Sequence, residues 1–169
     1  MEIRTASMTD LKEVSSVEAE CFPAAEAATE ESFRDRLTFY PGHFLLLLEE
    51  GKLAAFIDGM VTDKKDLTDD MYENASMHQE DGAWQMIFGL NTRPACRRRG
   101  LAGTLIRAFQ QKAQEEGRQG VVLTCKDALV HYYSKFGFID EGVSASTHGG
   151  VRWHQMRWLA GAAGKAGKI

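Results

Sequence analysis

The run Cys96-Arg97-Arg98-Arg99-Gly100-Leu101-Ala102-Gly103 stands between two strongly patterned segments. Upstream, residues 83–92 read as a strand that contains Gly89, and a lone glycine in a strand marks a bulge or a close approach by another group. Downstream, Leu101, Leu105, Ile106, Phe109 and Ala113 recur at helical spacing, with Arg107, Gln111, Gln114 and Glu115 on the opposite face and Gly117 as the stop. Val121 to Thr124 then reads as a second strand. Strand, loop, helix and strand in this order predict a right-handed parallel crossover. A helix that opens directly after a strand leaves its first N–H groups without partners and carries partial positive charge at that end. Gly100, Ala102 and Gly103 let a bulky anion approach the backbone, and Arg97, Arg98 and Arg99 add full charges. The loop is therefore expected to hold a pyrophosphate or a similar anion. It is not a nucleotide P-loop, because no Lys follows Gly100 or Gly103 at the required place, and GxGxxG is also absent.

The rest of the chain extends the α/β order. Ile3 to Ala6 reads as a first strand. Asp10, with Glu13 three residues later, has the spacing of a capping box before Leu11, Val14, Val17 and Cys21. A second helix is expected from about residue 29 to 39, with Phe33 and Leu37 on one face. Phe44 to Leu48 is a doubly buried strand, and Leu53 to Val61 returns after a turn at residues 49–52. Residues 62–82 lack a strong period and collect Asp63, Asp66, Asp69, Asp70, Glu73, Glu80 and Asp81. That acidic stretch reads either as a solvated surface or as a field that favours a cation. A short helix over 129–136 and strands at 138–141 and 151–158 complete the order. Residues 1–159 are expected to form one domain, and 160–169 a disordered, low-complexity tail.

Composition narrows the function classes. Of the 169 residues, 44% are hydrophobic and 26% charged, the balance of a globular chain, and no apolar run reaches the length of a membrane span. The net charge of −4 argues against a general nucleic-acid surface. Cys21, Cys96 and Cys125 are odd in number and widely spaced, so a reducing compartment is expected and a structural zinc site is not. With no signal segment apparent at the N-terminus, the expectation is a cytoplasmic protein, as monomer or homodimer.

The anion loop resembles the pyrophosphate loop of the GNAT superfamily of acetyl-CoA-dependent N-acetyltransferases, with Arg97, Gly100 and Ala102 at its characteristic positions and Pro94 ahead of it. A second segment, Thr124-Cys-Lys-Asp-Ala-Leu-Val-His-Tyr-Tyr-Ser-Lys-Phe-Gly-Phe138, resembles the C-terminal motif of that superfamily, in which a tyrosine precedes Gly-Phe. The Cys-x-Asp-Ala-Leu-Val run and the strand from Leu53 to Asp58 are similar to the arylalkylamine (serotonin) N-acetyltransferase branch. The resemblance implies a central, mixed, mostly antiparallel twisted sheet of about seven strands with about four helices. It also implies two adjacent parallel strands, here 83–92 and 121–124, that splay to admit the pantetheine arm of acetyl-CoA. Backbone groups of Leu90, Asn91 and Thr92 would pair with that arm, and the Leu90 N–H would polarise the thioester carbonyl. Residues 97–103 would hold the pyrophosphate, with Lys126 and Tyr132 also on the cofactor. An amine would attack directly, without a covalent enzyme intermediate. Tyr133 would be the general acid, because a phenol titrating near ~10 can pass its proton to a thiolate whose acid titrates near ~8.5. Cys125 would not be the nucleophile.

One departure bears on the acceptor. The serotonin branch carries two histidines on the central strand, and here those positions are Met86 and Phe88. Candidate replacement bases are His154, His148 and His78, of which His154, on the last strand, is preferred. Trp84, Met86, Phe88 and Trp153 are expected to form the walls of an apolar acceptor pocket. Three functions are consistent with these residues: acetylation of a small primary amine, acetylation of peptide or protein N-termini, and a non-catalytic acyl-CoA-binding regulatory domain.

Overall fold

The computed structural model describes residues 1–146 and 150–161. His148 and tail residues 162–169 lie outside them. The chain opens with β1 (Glu2–Thr5) and α1 (Leu11–Cys21), which buries Leu11, Val14 and Val17. The expected capping box sits one turn earlier: Ser7 N–H donates to Asp10 Oδ2 at 2.8 Å, and Asp10 also pairs with Arg4. The salt bridge holds the Asp10 carboxylate toward Ser7, so Glu13 is not needed as a cap partner. α2 (Glu30–Phe39) is capped by Thr29, whose hydroxyl accepts the Ser32 N–H at 3.1 Å.

β2 (Phe44–Glu49) and β3 (Lys52–Asp58) form a hairpin turned by Glu50 and Gly51 in left-handed conformation. β4 (Val61–Thr62) and α3 (Asp69–Glu73) follow. The strand expected over 83–92 is two strands, β5 (Trp84–Ile87) and β6 (Gly89–Thr92). α4 (Leu101–Glu115), β7 (Gly120–Lys126), α5 (Val130–Ser134), β8 (Ile139–Val143) and β9 (Trp153–Leu159) complete the order. Among the described residues there are thus nine strands and five α-helices in a mixed α/β fold.

Two sheets result. One has the order β1-β2-β3-β6 and is antiparallel throughout. The other has the order β4-β5-β7-β9-β8, with β5 and β7 parallel. Phe88 is where the chain leaves one sheet for the other. β5 accompanies β7 only as far as the pair Ile87 and Leu123, whereas β7 runs on to Lys126. From Phe88 onward β6 belongs to β3, so a gap opens between β6 and the end of β7.

α4 covers one face, with Leu105, Ile106, Phe109 and Ala113 packed against apolar residues of β2, β3 and β7. α1 and α2 cover the other face of the first sheet, where Phe33, Phe44 and Phe56 form an aromatic cluster. The segment after β4 closes a third apolar group around Met60, Met71, Trp84 and Met86. These three groups leave the gap between β6 and β7 unfilled.

Candidate active site

The gap between β6 and β7 opens into a cavity of ≈ 450 Å³. Ile87, Phe88, Leu90, Leu123, Cys125, Leu129, Tyr133 and Trp153 supply much of its apolar and aromatic wall. Glu18, Glu26, Glu31, Asp35 and Glu73 bring carboxylates to it, and among the described residues the one cationic side chain on its wall, Arg36, is paired with Asp58. Lys126 pairs with Glu26 at 2.8 Å. Glu31, Asp35 and Glu73 have no Lys or Arg partner among the described residues, so the cavity presents net negative charge.

Tyr133 sits on α5 at the inner end. Its ring packs against Tyr132 and Phe138, and the side chain is 9% exposed. Among the described residues nothing hydrogen-bonds its hydroxyl, although the residue borders the cavity. Burial, with smaller contributions from neighbouring Cys125, Tyr132 and Tyr72, pushes its pKa well up, so the phenol holds its proton at neutral pH. A hydroxyl that borders the cavity without a protein partner suits a donor that waits for one. Burial also pushes the Cys125 thiol up to about 12, which removes the thiolate a nucleophile needs.

The open edge of β6 follows from the ladder. Arg93 N–H donates to Ala54 C=O at 2.9 Å, so antiparallel alternation turns Asn91 toward β3 and leaves Leu90 and Thr92 facing the gap. The Leu90 amide is therefore presented to the cavity. Thr92 C=O already accepts from Arg97 Nε at 3.1 Å and from Cys21 Sγ at 3.3 Å. Asn91 is withdrawn altogether, contrary to expectation: its backbone lies in the β3 ladder and its side chain donates to Glu18 at 2.8 Å, beneath α1.

At the other end of β6, Arg98 and Gly100 are both left-handed (φ 64° and 78°), which turns the chain sharply before α4. The first intrahelical bond is Thr104 N–H to Gly100 C=O, so the Leu101, Ala102 and Gly103 amides precede it. Successive amides around a left-handed residue form a concave anion-binding nest. Gly103 has a different reason from the one expected: a Cβ there would lie 3.0 Å from the Phe136 ring, so it admits helix packing rather than an anion. Arg99 is tied to Glu49 across the sheet edge. Tyr132 packs edge-to-face on Phe136, and Lys126 reaches Glu26.

Several other expectations are corrected by packing. Trp84 lies under the Arg157 guanidinium, 4.6 Å from ring centre to Cζ, and Met86 is fully buried. Both belong to the apolar group away from the gap, and only Phe88 and Trp153 of the expected wall line the cavity. The 60–77 segment covers the face of β5 that carries Trp84 and Met86, so these two are sealed, whereas Ile87 on the other face borders the cavity. His154 lies outside the cavity lining and bonds to both Asp140 and Asp127. The Asp140 hydrogen bond leads in raising its pKa, and both ring nitrogens are already committed to carboxylates.

His78 is likewise committed elsewhere. Its Nδ1 accepts the Val61 N–H at 3.0 Å, so Nε2 carries the proton and donates to Glu80 at 2.9 Å. His43 and Glu80 complete that cluster, with candidate ligand atoms all within 4.8 Å of one another. The protonated Nε2 and the Glu80–Arg118 contact at 3.3 Å make it a hydrogen-bonded charge cluster. Most acidic residues of the 63–81 stretch are consumed structurally too: Asp66 pairs with Arg157, Asp63 accepts the Ala83 N–H, and Asp69 bonds Ser146. Only Tyr72 and Glu73 of that stretch reach the cavity. Its carboxylates come instead mainly from residues 18–35. Glu31 and Asp35 stand four apart on one face of α2, a spacing that was visible in the sequence.

Comparison with known proteins bears on this geometry. The family model described as acetyltransferase (GNAT) matches residues 11–138. The serotonin N-acetyltransferase of Mesocricetus auratus is 30% identical over 160 residues, covering 92% of this chain and 76% of that protein. Among solved structures, the loading GNATL domain of CurA from Lyngbya majuscula superposes with a TM-score of 0.82 at 16% identity, covering 94% of this chain and 96% of that one. GphF GNAT-like decarboxylase, solved in complex with isobutyryl-CoA, gives 0.80 at 20% identity, covering 94% and 99%. At those identities the structural likeness speaks for the fold.

Proposed function

This chain belongs to the GNAT acetyltransferase family, and from that premise we propose that it transfers an acetyl group from acetyl-CoA to a small primary amine that enters the acidic cavity. Its relatives are N-acetyltransferases, and the chain is an N-acetyltransferase with them. The observation that carries the finer reading is the meeting of three features at one gap: the outward Leu90 edge, the unpartnered Tyr133 hydroxyl and a wall of carboxylates.

The mechanism follows from these positions. The amides at the mouth of α4 and the arginines beside them bind the CoA diphosphate, which lays the thioester along β6. The Leu90 N–H stabilises the oxyanion as the amine nitrogen attacks the carbonyl carbon. The carbon–sulfur bond then breaks, Tyr133 protonates the departing thiolate, and the proton lost by the amine nitrogen passes to solvent, from which the phenolate is reprotonated. The apolar wall disfavours the ammonium form of the acceptor, while the acidic rim attracts its charge from solution.

Release of CoA thiol, followed with a panel of serotonin, alkylamines, diamines and N-terminal peptides, tests the reading. Turnover is expected with small amines and not with peptides. Stabilisation by acetyl-CoA without turnover on any acceptor would instead make the chain a cofactor-binding module. Glu31→Gln combined with Asp35→Asn is expected to raise KM for cationic amines by about 3- to 10-fold at low salt, with the difference shrinking at high salt. An equal KM at both ionic strengths removes the rim from recognition. Gly100→Val places a β-branched residue at φ +78°, at a cost of about 1–2 kcal/mol. Calorimetry is expected to show acetyl-CoA binding about tenfold weaker. An unchanged Kd would mean that the loop does not hold the cofactor.

A further inference from the structure

Arg36 and Asp58 form a buried ion pair, 2.8 Å from Nη1 to Oδ2, with side chains 4% and 0% exposed. Neither is at the cofactor loop and neither is used in the mechanism above. The pair stands where three parts of the cleft meet. Asp58 is the last residue of β3 and lies opposite Gly89. Its carbonyl accepts the Phe88 N–H at 2.7 Å, and its Oδ1 lies 2.7 Å from where a Cβ of residue 89 would be. Residue 89 is glycine because this carboxylate takes the space.

Arg36 comes from α2 on the acceptor side. Its guanidinium lies between the Phe33 and Phe88 rings, at 5.1 and 5.2 Å from their centres, and it lines the cavity. Phe88 in turn packs on Tyr72 at 4.6 Å, and the Tyr72 hydroxyl bonds Thr124 across the gap at 3.1 Å. A continuous line of contacts therefore runs from the first sheet through α2 and Phe88 to β7. A buried pair of this kind adds little net stability over an apolar pair of similar volume, but it fixes direction, because neither charge can leave the other.

We propose that Arg36 and Asp58 are positioning residues for the amine acceptor: they hold Phe88 and the strand break at Gly89 so that the cavity keeps the shape an amine needs beside Leu90. This rests on the transferase reading above. The charged and titratable groups facing Asp58 are Arg36 and Tyr40 from α2 and its end, Glu18 from α1 and Tyr72 from α3. Burial pushes the Asp58 carboxyl up to about 6, against the pull of Arg36 and with a further push from Glu18. Above that pH the pair is intact. Below it Asp58 takes up a proton, Arg36 loses its counter-charge, and the hold on Phe88 weakens.

The test compares the parent, Asp58→Asn and the double variant Arg36→Leu/Asp58→Asn. For Asp58→Asn, KM for hexylamine is expected to rise about tenfold or more, while the acetyl-CoA Kd stays within about twofold. An alkylamine titrating near ~10 loses about tenfold of its free base per pH unit, equally for both proteins, so the Asp58 contribution is read as the ratio of the Asp58→Asn KM to the parent KM. That ratio should be about tenfold at pH 7 and fall toward one at pH 5. The double variant should regain the parent Tm but not the parent KM. Calorimetric binding of hexylamine to the CoA-saturated protein gives the same comparison without turnover, so a parent that binds but does not react sinks the transferase reading alone. Recovery of KM together with Tm, a parent-like Asp58→Asn, or a ratio of the two KM values that does not change with pH would overturn the positioning role.

Discussion

Replacing Tyr133 by phenylalanine lowers kcat by about 100-fold or more while acetyl-CoA affinity changes by less than about twofold. The substitution keeps the ring and its packing against Tyr132 and Phe138 and removes only the hydroxyl. That hydroxyl has no protein partner among the described residues, so its loss orphans no other group and the Tm should hold. The separation matters: a core tyrosine would show its loss in stability, whereas a proton donor shows it in the chemical step. The rate should be read with saturating amine and acetyl-CoA, and single-turnover measurement should place the loss before CoA release. A variant as fast as the parent would eliminate Tyr133 as the acid, and the thiolate would then leave without a proton from the protein.

Phe109→Ala is the change expected to cost the most stability, about 3–5 kcal/mol, from lost burial and the cavity left behind. Phe109 is fully buried at the centre of the α4 face that packs on β2, β3 and β7. For a chain of this size that corresponds to a Tm lower by roughly 6–20 °C. Because α4 also carries the anion loop at its N-terminus, acetyl-CoA should restore part of the lost Tm by mass action. Urea unfolding with and without cofactor measures both effects. A loss under about 1 kcal/mol would mean that the helix repacks freely, against the close packing of this core.

The loop proposed for the cofactor was legible as a turn into a helix. It is built from residues adjacent in sequence, where backbone conformation and residue type act locally: Arg97 to Gly103 make their turn through left-handed Arg98 and Gly100. The period of Leu101, Leu105, Ile106, Phe109 and Ala113 likewise dictated α4 and its buried face. The acceptor side was not legible in that way. Trp84 and Met86 read as pocket walls beside Phe88, but the 60–77 segment seals the face of β5 that carries them, and of these three only Phe88 reaches the cavity. His154 read as a candidate base because it lies on the last strand, yet two aspartates from separate segments converge on it. The carboxylates that do reach the cavity come from α1, α2, α3 and the α1–α2 connection, and no spacing rule relates Glu18 to Glu73. A signal that could have exposed the Arg36–Asp58 pair was the acid that ends the otherwise apolar strand Leu-Ala-Ala-Phe-Ile-Asp58.

The amino-acid order by itself determined the fold class, the strand–loop–helix proposed to hold an anion and the tyrosine ahead of Gly137-Phe138. Each depends on interactions within a few residues of chain: turn conformation, helix period and the exposed amides of a first helical turn. Only the tertiary structure decided that the central strand breaks at Phe88, that Asn91 turns inward, that Gly103 serves Phe136, and that the acceptor cavity is acidic. Those features come from segments tens of residues apart, and their burial and pairing exist only once the sheets and helices have packed.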